Sequence, residues 1–488
     1  MAEEIIIIPE EAKILDVLLH ENKMARFPEQ EESAIDLLRE FVNELTDITE
    51  PPQEDTIVPF LIRRIAEIDD LLTGQINEIL HHPEFQKLES TWRGLHYFVM
   101  NTETSTKLKI RVMNASLKDL RDDLTKAIEF DQSALFKKVY EEEYGTFGGY
   151  PYSCLIGDFA FSNHPQDIVF LEHMSGLAAA AHTPFIAAVS PEFFNLDSFE
   201  ALPSPRDLAK IFESPDYIKW NSFRNTEDSR YVTLLLPRIL MRLPYGPNTL
   251  PVVDFNFTED VGVGDTDRFC WGNPAFALGQ RVTDAFAHYG WTAAIRGVEG
   301  GGKVEGLPAY IFKTLDGDNT VKCPTEVAIT DRREKELSDL GFVALCYSKG
   351  SDFAVFFGAQ TAQKPKTYNL DDANANASIS ARITYILAAS RFAHYIKVLM
   401  RDKVGAFLTK ENVEIYLNNW LASYILLNDD APAEAKAKYP LREGRIDIYD
   451  EPGKPGSYKS VIYLRPHFQM EELTASIRLV ATLPAKAG

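Results

Sequence analysis

Residues 297–304, GVEGGGKV, come nearest in this 488-residue chain to a sequence built for chemistry. Gly297, Gly302 and Lys303 match the G-x-x-x-x-G-K of a phosphate loop, in which backbone N–H groups and a lysine ammonium cradle phosphate oxygens. Such a loop also needs a Ser or Thr hydroxyl for Mg²⁺ and a helix whose amino terminus faces the phosphates. Val304 has no oxygen to offer, and Gly306 and Pro308 stop a helix within a turn. These residues therefore predict a Gly-rich turn between strands, the first strand being Ala293, Ala294 and Ile295. A cytoplasmic enzyme or small-ligand protein using this turn at 297–303 with nearby acids remains the alternative.

Metal and nucleophile chemistry lack a signature. His164, His173 and His182 are spaced nine residues apart, about 900° on a helix, so successive members lie on opposite faces and cannot converge. His81, His82 and His288 have no companion at ligand spacing and suit capping or surface positions. Asp254, Asp260, Asp265 and Asp267 lack the ligand order of an EF-hand and predict a solvated loop. No G-x-S-x-G elbow and no S-x-x-K occurs. Cys154, Cys270, Cys323 and Cys346 are widely separated, which fits a reducing cytoplasm and no disulfide framework. No catalytic residue, metal ligand or cofactor is expected.

The elements that would have to position a site speak more plainly. Residues 82–99, HPEFQKLESTWRGLHYFV, predict a helix with Pro83 in its first turn and Phe85, Leu88, Trp92, Leu95 and Val99 along one face that needs a partner surface. Gly94 inside it costs about 1 kcal/mol against alanine and suggests that another backbone comes close. Trp92 and Arg93 are expected in core and subunit packing rather than at a ligand. Upstream, Leu61, Ile65, Ile68, Leu72 and Ile79 make a short heptad seam weakened by Gly74, as suited to an intramolecular helix pair as to an intermolecular coil. From about Lys107 to Thr314, strand-length runs at 107–113, 153–159, 185–189 and 233–236 alternate with helical stretches at 171–181 and 274–289, and 342–347 and 354–357 continue the strands. That alternation predicts an α/β layered core of sheet and helices.

Residues 364–372 read as a boundary. Beyond it come helices at 377–401 and 411–427, the second with Val413, Leu417, Trp420, Leu421 and Tyr424 on one face. Strands at 445–449, 458–465 and 473–484 close the chain in a small sheet whose open edges must be covered or paired with another chain. At the other end, Ile14, Leu15, Leu18 and Leu19 form one short stripe, and Ile35, Leu38, Val42 and Leu45 another after the expected cap Ser33. Both are too short to stand alone. The expected organisation is an acidic helical arm at 1–56, an α/β core at 57–370 and a helix-plus-sheet domain at 371–488.

Composition narrows the partners. Fifty Lys and Arg against 72 Asp and Glu give a net charge of −22, which argues against nucleic acid, since phosphate binding needs clustered cations. The first 55 residues hold sixteen acids and four bases, so this arm is a solvated charge run or a recognition segment. No stretch has the length and apolarity of a membrane span or the basic start of a signal peptide, so a cytoplasmic chain without membrane insertion is expected.

The segment at 82–99, with residues 130–149 (FDQSALFKKVYEEEYGTFGG), 295–302 (IRGVEGGG) and 322–341 (KCPTEVAITDRREKELSDLG), closely resembles the large subunit of the bacterial type VI secretion contractile sheath, the TssC/VipB family. The likeness runs from about Ile57 to Pro484 and is looser over the first fifty residues. It implies a structural protein, not an enzyme, that pairs with a small sheath subunit of the TssB/VipA type and polymerises around an inner tube of Hcp type on a baseplate. Contraction of that sheath propels tube and effectors into a target cell. The resemblance also implies a ClpV-type disassembly ATPase gripping an amino-terminal helix, for which Ile14, Leu15, Leu18 and Leu19 are the matching residues. It makes the seam at Leu61, Ile65, Ile68, Leu72 and Ile79 the candidate for packing on the small subunit. Finally, it implies a carboxy-terminal sheet interlocked between protomers, with Ile446, Ile448, Val461, Ile462, Leu464, Ile477 and Leu479 as the strand candidates.

Overall fold

A computed structural model describes residues 24–46 and 54–469, apart from 26, 205–206, 254, 263, 314–316, 318, 407–408, 451, 453–457 and 468; of 42, 44–46, 54–60, 130, 313 and 372 it describes the backbone alone. The stripe at Ile14, Leu15, Leu18 and Leu19 and the strand at 473–484 with Ile477 and Leu479 lie outside the described residues. The chain divides into two compact units, one up to Ile76 with Val252–Phe257, the other Asn77–Pro251 with Thr258 onward.

In the first unit a 3-10 turn at Pro28–Gln30 leads into α1 (Glu31–Thr46). Ser33 lies inside α1 and is not its cap, because Pro28 sets the turn that begins the helix two residues earlier. Ala25 and Ala34, with Ile35 and Leu38, form a small apolar cluster. Helix α2 (Glu54–Leu80) is one unbroken rod of 27 residues.

The second unit begins with α3 (Pro83–Met100) and the helix α4 (Leu117–Lys126), whose Ser116 and Asp119 close a reciprocal capping box. Its centre is the layered sheet-and-helix core expected from the sequence. Six strands, β1 (Leu155–Phe161), β2 (Phe185–Val189), β3 (Val232–Leu236), β4 (Lys303–Val304), β5 (Phe342–Tyr347) and β6 (Ala354–Phe356), lie in the order β1-β2-β3-β5-β6-β4. The first four positions are parallel, and β6 runs antiparallel to both neighbours. Every residue of β2 and β3 is buried, as for parallel strands covered on both faces.

Alternation sorts these side chains into two layers. Phe185, Ala187, Val189, Phe342 and Ala344 join one apolar cluster with α5 (Pro165–Ala181), while Ile186, Val343 and Leu345 join another with α6 (Pro274–Tyr289). Helix α6 starts where Asn273 accepts from the Ala275 N–H and ends at Gly290 in the left-handed region, φ 75°. A further helix, α7 (Asp331–Asp339), leads into β5.

Two expectations need correction here. Residues 107–113 are not a strand, since they join no ladder in the described structure. The helix expected at 377–401 is two, α8 (Asp371–Ser380) and α9 (Ile383–Asp402). The break is held from outside: Thr361 Oγ1 and its backbone N–H both donate to the Ala381 carbonyl, and the Ile383 N–H donates to Ala359. A third cluster gathers Phe392 and Ile396 of α9, Leu417 and Leu421 of α10 (Lys410–Ala422), and Ile446 and Ile448 of β7 (Leu441–Asp450), which pairs with β8 (Tyr458–Pro466). No helix among the described residues is long and apolar enough to cross a membrane.

Candidate assembly surfaces

The chemical candidates are spent on structure. The Gly297 N–H donates to Phe356 O at 2.7 Å, the Gly302 N–H to Gly297 O at 2.8 Å and the Arg296 N–H to Gly300 O at 3.3 Å, so the loop turns its donors on its own chain. Gly297 and Gly301 take positive φ of 74° and 87°, which an L side chain adopts only with strain. Lys303 pairs with Glu305 and lies 4.3 Å from the Phe353 ring centre. The expected strand at 293–295 is absent: Ile295 is buried in the core without a ladder, and its N–H turns back to Ala293. The Gly-rich turn therefore precedes β4 but does not join two strands.

His82, His164 and His182 hold helix ends, while His173 lies inside α5. His164 accepts from the Gln166 N–H at the start of α5 and His182 caps its end in the left-handed region, φ 52°, so the helix length separates them. His82 caps α3 by accepting from the Glu84 N–H, and His288 is exposed beside Asp284. Asp260 pairs with Arg268, and Asp265 accepts from the Gly262 N–H. No group of three His, Cys, Asp or Glu among the described residues could hold a metal ion.

Helix α3 is two-sided. Gly94 and Phe98 are its buried residues, packed against α6. A Cβ on Gly94 would stand 2.5 Å from Cδ2 of Phe276, so the close approach is an aromatic ring and not the backbone expected. A charge network makes the second anchor. Arg242, 4% exposed, donates to Glu89 and Glu259 at 2.6 Å each, while Arg93 donates to Glu89 at 2.7 Å and to the Tyr245 hydroxyl at 3.0 Å. Burial alone would push the Glu89 carboxyl up, but the hydrogen bonds and charges of Arg242 and Arg93 hold it below its ordinary range. The stripe expected to pack faces outward: Leu88 is 55% exposed and Trp92 65%, Val99 is exposed, and Phe85 and Leu95 are half-buried. Trp92 is thus no core residue, because the small Gly94 face takes that side.

On α2, Leu61 is half-buried and Ile65, Ile68, Leu72 and Ile79 are exposed, with Ile62 and Leu71 alongside. One α2 acid is buried: Asp69 accepts from the N–H and the side-chain amide of Asn256.

The β7–β8 hairpin has one covered edge and one open edge. The Asn418 amide of α10 donates to Ile446 O at 2.8 Å and accepts from the Ile446 N–H at 3.0 Å, and Glu414 accepts from the Ile448 N–H at 3.2 Å. Helix side chains thereby take the outward backbone groups of β7. Ile446 and Ile448 are buried, whereas Val461, Ile462 and Leu464 of β8 are half-buried. Ile462 stands opposite Ile446, so its N–H also points away from the hairpin, and among the described residues no strand pairs with it. Asn418 and Glu414 carry no sequence signal for this role, because their partners are 28 and 34 residues away.

Residues 62–363 match the family described as EvpB/VC_A0108 tail sheath N-terminal domain, VipB, and residues 372–483 match the gpW/gp25-like domain of the same proteins. Those two matches define a tail sheath protein, and the chain belongs to the VipB tail sheath family. The type VI secretion system sheath protein TssC1 of Pseudomonas aeruginosa is 46% identical to it over 469 residues, 95% of this chain and 93% of that protein. Among solved structures, the anti-feeding prophage baseplate has a similar chain at 11% identity and TM-score 0.37, covering 77% of this chain and 83% of that one. A contracted PVC sheath complex of an extracellular contractile injection system matches at 11% identity and TM-score 0.33, covering 63% and 68%.

Proposed function

We propose that this chain is the large structural subunit of a type VI contractile sheath, which pairs with a small sheath subunit and polymerises around an inner tube. The observation that carries this reading is the 46% identity to a type VI sheath protein along 95% of the chain. Outward apolar side chains on α2 and α3 support it, since a surface of this kind suits a protein partner better than water. Leu61, Ile65, Ile68, Leu72 and Ile79 are assigned to packing on the small subunit. Interlocking is assigned to the outer edge of β8, with Val461, Ile462 and Leu464, while Ile446 and Ile448 anchor the hairpin from below; Ile477 and Leu479 belong to the strand a neighbour would exchange. The proposed organisation remains an acidic arm at 1–56, a core at 57–370 and an interlocking domain at 371–488, working in the cytoplasm without catalytic groups.

Extended sheath on this reading is a metastable lattice whose many weak interfaces rearrange together, driving an Hcp-type tube from a baseplate. Truncation after Pro455 removes β8 and is expected to leave a soluble heterodimer that cannot elongate. Normal tubes from that truncation, seen by negative-stain microscopy, would refute the interlocking role. A ClpV-type ATPase is proposed to grip Ile14, Leu15, Leu18 and Leu19. Leu15→Asp with Leu18→Asp should abolish ATPase pull-down while tubes still form, and unchanged pull-down refutes the assignment.

A further inference from the structure

Residues 107–113, KLKIRVM, have the composition of a strand and no sheet to join. Lys107, Lys109 and Arg111 are exposed and alternate with half-buried Leu108 and Ile110, the pattern of a strand with one face on the protein. Yet from Lys109 to Asn114 no backbone N–H or C=O is hydrogen-bonded among the described residues. Leu108 O accepts from the Ser105 N–H, and beyond it side chains hold the segment in place: Lys109 Nζ lies 3.8 Å from the Tyr150 ring centre, and Arg111 donates to Glu143 and, at 3.1 Å, to the Tyr152 hydroxyl. A fixed extended backbone with unspent donors and acceptors is a template for another strand.

The surroundings state the chemistry of that strand. Lys107 and Lys109 have no carboxylate in ion-pair contact among the described residues. The 143–152 loop that holds the segment also lines a cavity with Lys397 and Arg401. Lys397 Nζ rests 3.4 Å from the Tyr144 ring centre and Arg401 donates to the carbonyls of Tyr144, Gly145 and Thr146, while Glu143 and Asp402 line the same cavity. Phe147 and Tyr150 are exposed on the same loop. Arg111 is paired with Glu143, which leaves Lys107 and Lys109 as exposed cations without an ion pair among the described residues, on a chain of net charge −22.

We propose that residues 107–113 are a docking edge that accepts, by β-augmentation, a strand from a different polypeptide of the assembly carrying carboxylates at alternate positions. Pairing with the same segment of a second copy would set Lys107, Lys109 and Arg111 against their own like charges, which is destabilising for directly opposed residues. An acidic strand instead satisfies the backbone and the cations together. This inference rests on the sheath reading and adds to it a second strand-pairing surface, far in sequence from the β7–β8 hairpin.

Amide hydrogen exchange of the full chain, alone and in tubes co-assembled with the small subunit, tests it. The amides of residues 109–113 that face the incoming strand should exchange freely in the lone chain and slow by about 100-fold or more in tubes. Val112→Pro and Met113→Pro remove N–H groups on opposite edges of the segment without breaking any bond in the lone chain, so melting should be unchanged while one of the two prevents tubes. Unprotected amides in wild-type tubes, normal tubes from both variants, or concentration-dependent protection of the lone chain by a second copy would each overturn the proposal. Failure of the wild-type pair to form tubes strikes the sheath reading itself, whereas tubes with free amides strike only this inference.

Discussion

His394 is 2% exposed, its Nε2 lies 2.9 Å from the Ala181 carbonyl, and its Nδ1 has no partner. Burial brings its pKa down to about 4 against the bond to the Ala181 carbonyl, which raises it, and the charges of Arg391, His182 and Lys397 lower it further. His182, 6.3 Å away ring to ring, is also lowered, by burial first and then by Lys397 and Arg230. The unfolded chain takes up these protons from about pH 6.5 downward while the native His394 resists until about 4. Stability is therefore complete above pH 6.5 and is lost as pH falls toward 4, by on the order of 3 kcal/mol for His394 alone. His394→Gln should flatten the melting-temperature profile between pH 6.5 and 4, and a profile parallel to wild type would contradict this. At this scale the sequence was only partly legible. Gly94 stood out as a glycine in an apolar helix, but the ring that requires it is on Phe276, far along the chain. Arg242 and Glu89 are 153 residues apart, and no local pattern announces such a pair.

Helix α3 shows what periodicity can and cannot settle. Three- and four-residue spacing placed Leu88, Trp92 and Val99 on one face, yet that face is outward, because the side with Gly94 and Phe98 fits more closely against α6. Leu88→Ser with Trp92→Ser should move the melting point little, within about 0.5 kcal/mol per exposed site. Binding to the small subunit should fall about 30-fold or more, as for a hot spot worth 2 kcal/mol or above, and undiminished binding in a pull-down titration would show the stripe to be idle. Strand positions were legible for β2, β3 and β5, which match the apolar runs closely, and not for the short β4, whose two residues carry no alternation. Residues 107–113 carry the same signal with no ladder, since alternation reports a half-buried face and says nothing of who completes the sheet. The join between α8 and α9 was illegible for a related reason: the bonds from Ala359 and Thr361 that interrupt it come from outside the helix.

At the scale of the whole chain, sequence patterns that resist every chemical reading agree with a molecule whose work is done at its surfaces. The phosphate-loop lookalike turns N–H groups on its own backbone, His82, His164 and His182 cap helices, and a run of exposed apolar residues lies along each of α2 and α3. Among the described residues no strand pairs with the outer edge of β8, a backbone edge that another strand could join. The layered core and the β7–β8 hairpin were legible because their apolar runs are local; which apolar stripes stay exposed was not, because exposure is a property of the fold. Negative-stain microscopy of the full chain co-expressed with a small sheath subunit tests the central claim most directly. Long tubes of cogwheel cross-section are the predicted result, and monodisperse globules whose melting point rises with added nucleotide would contradict it.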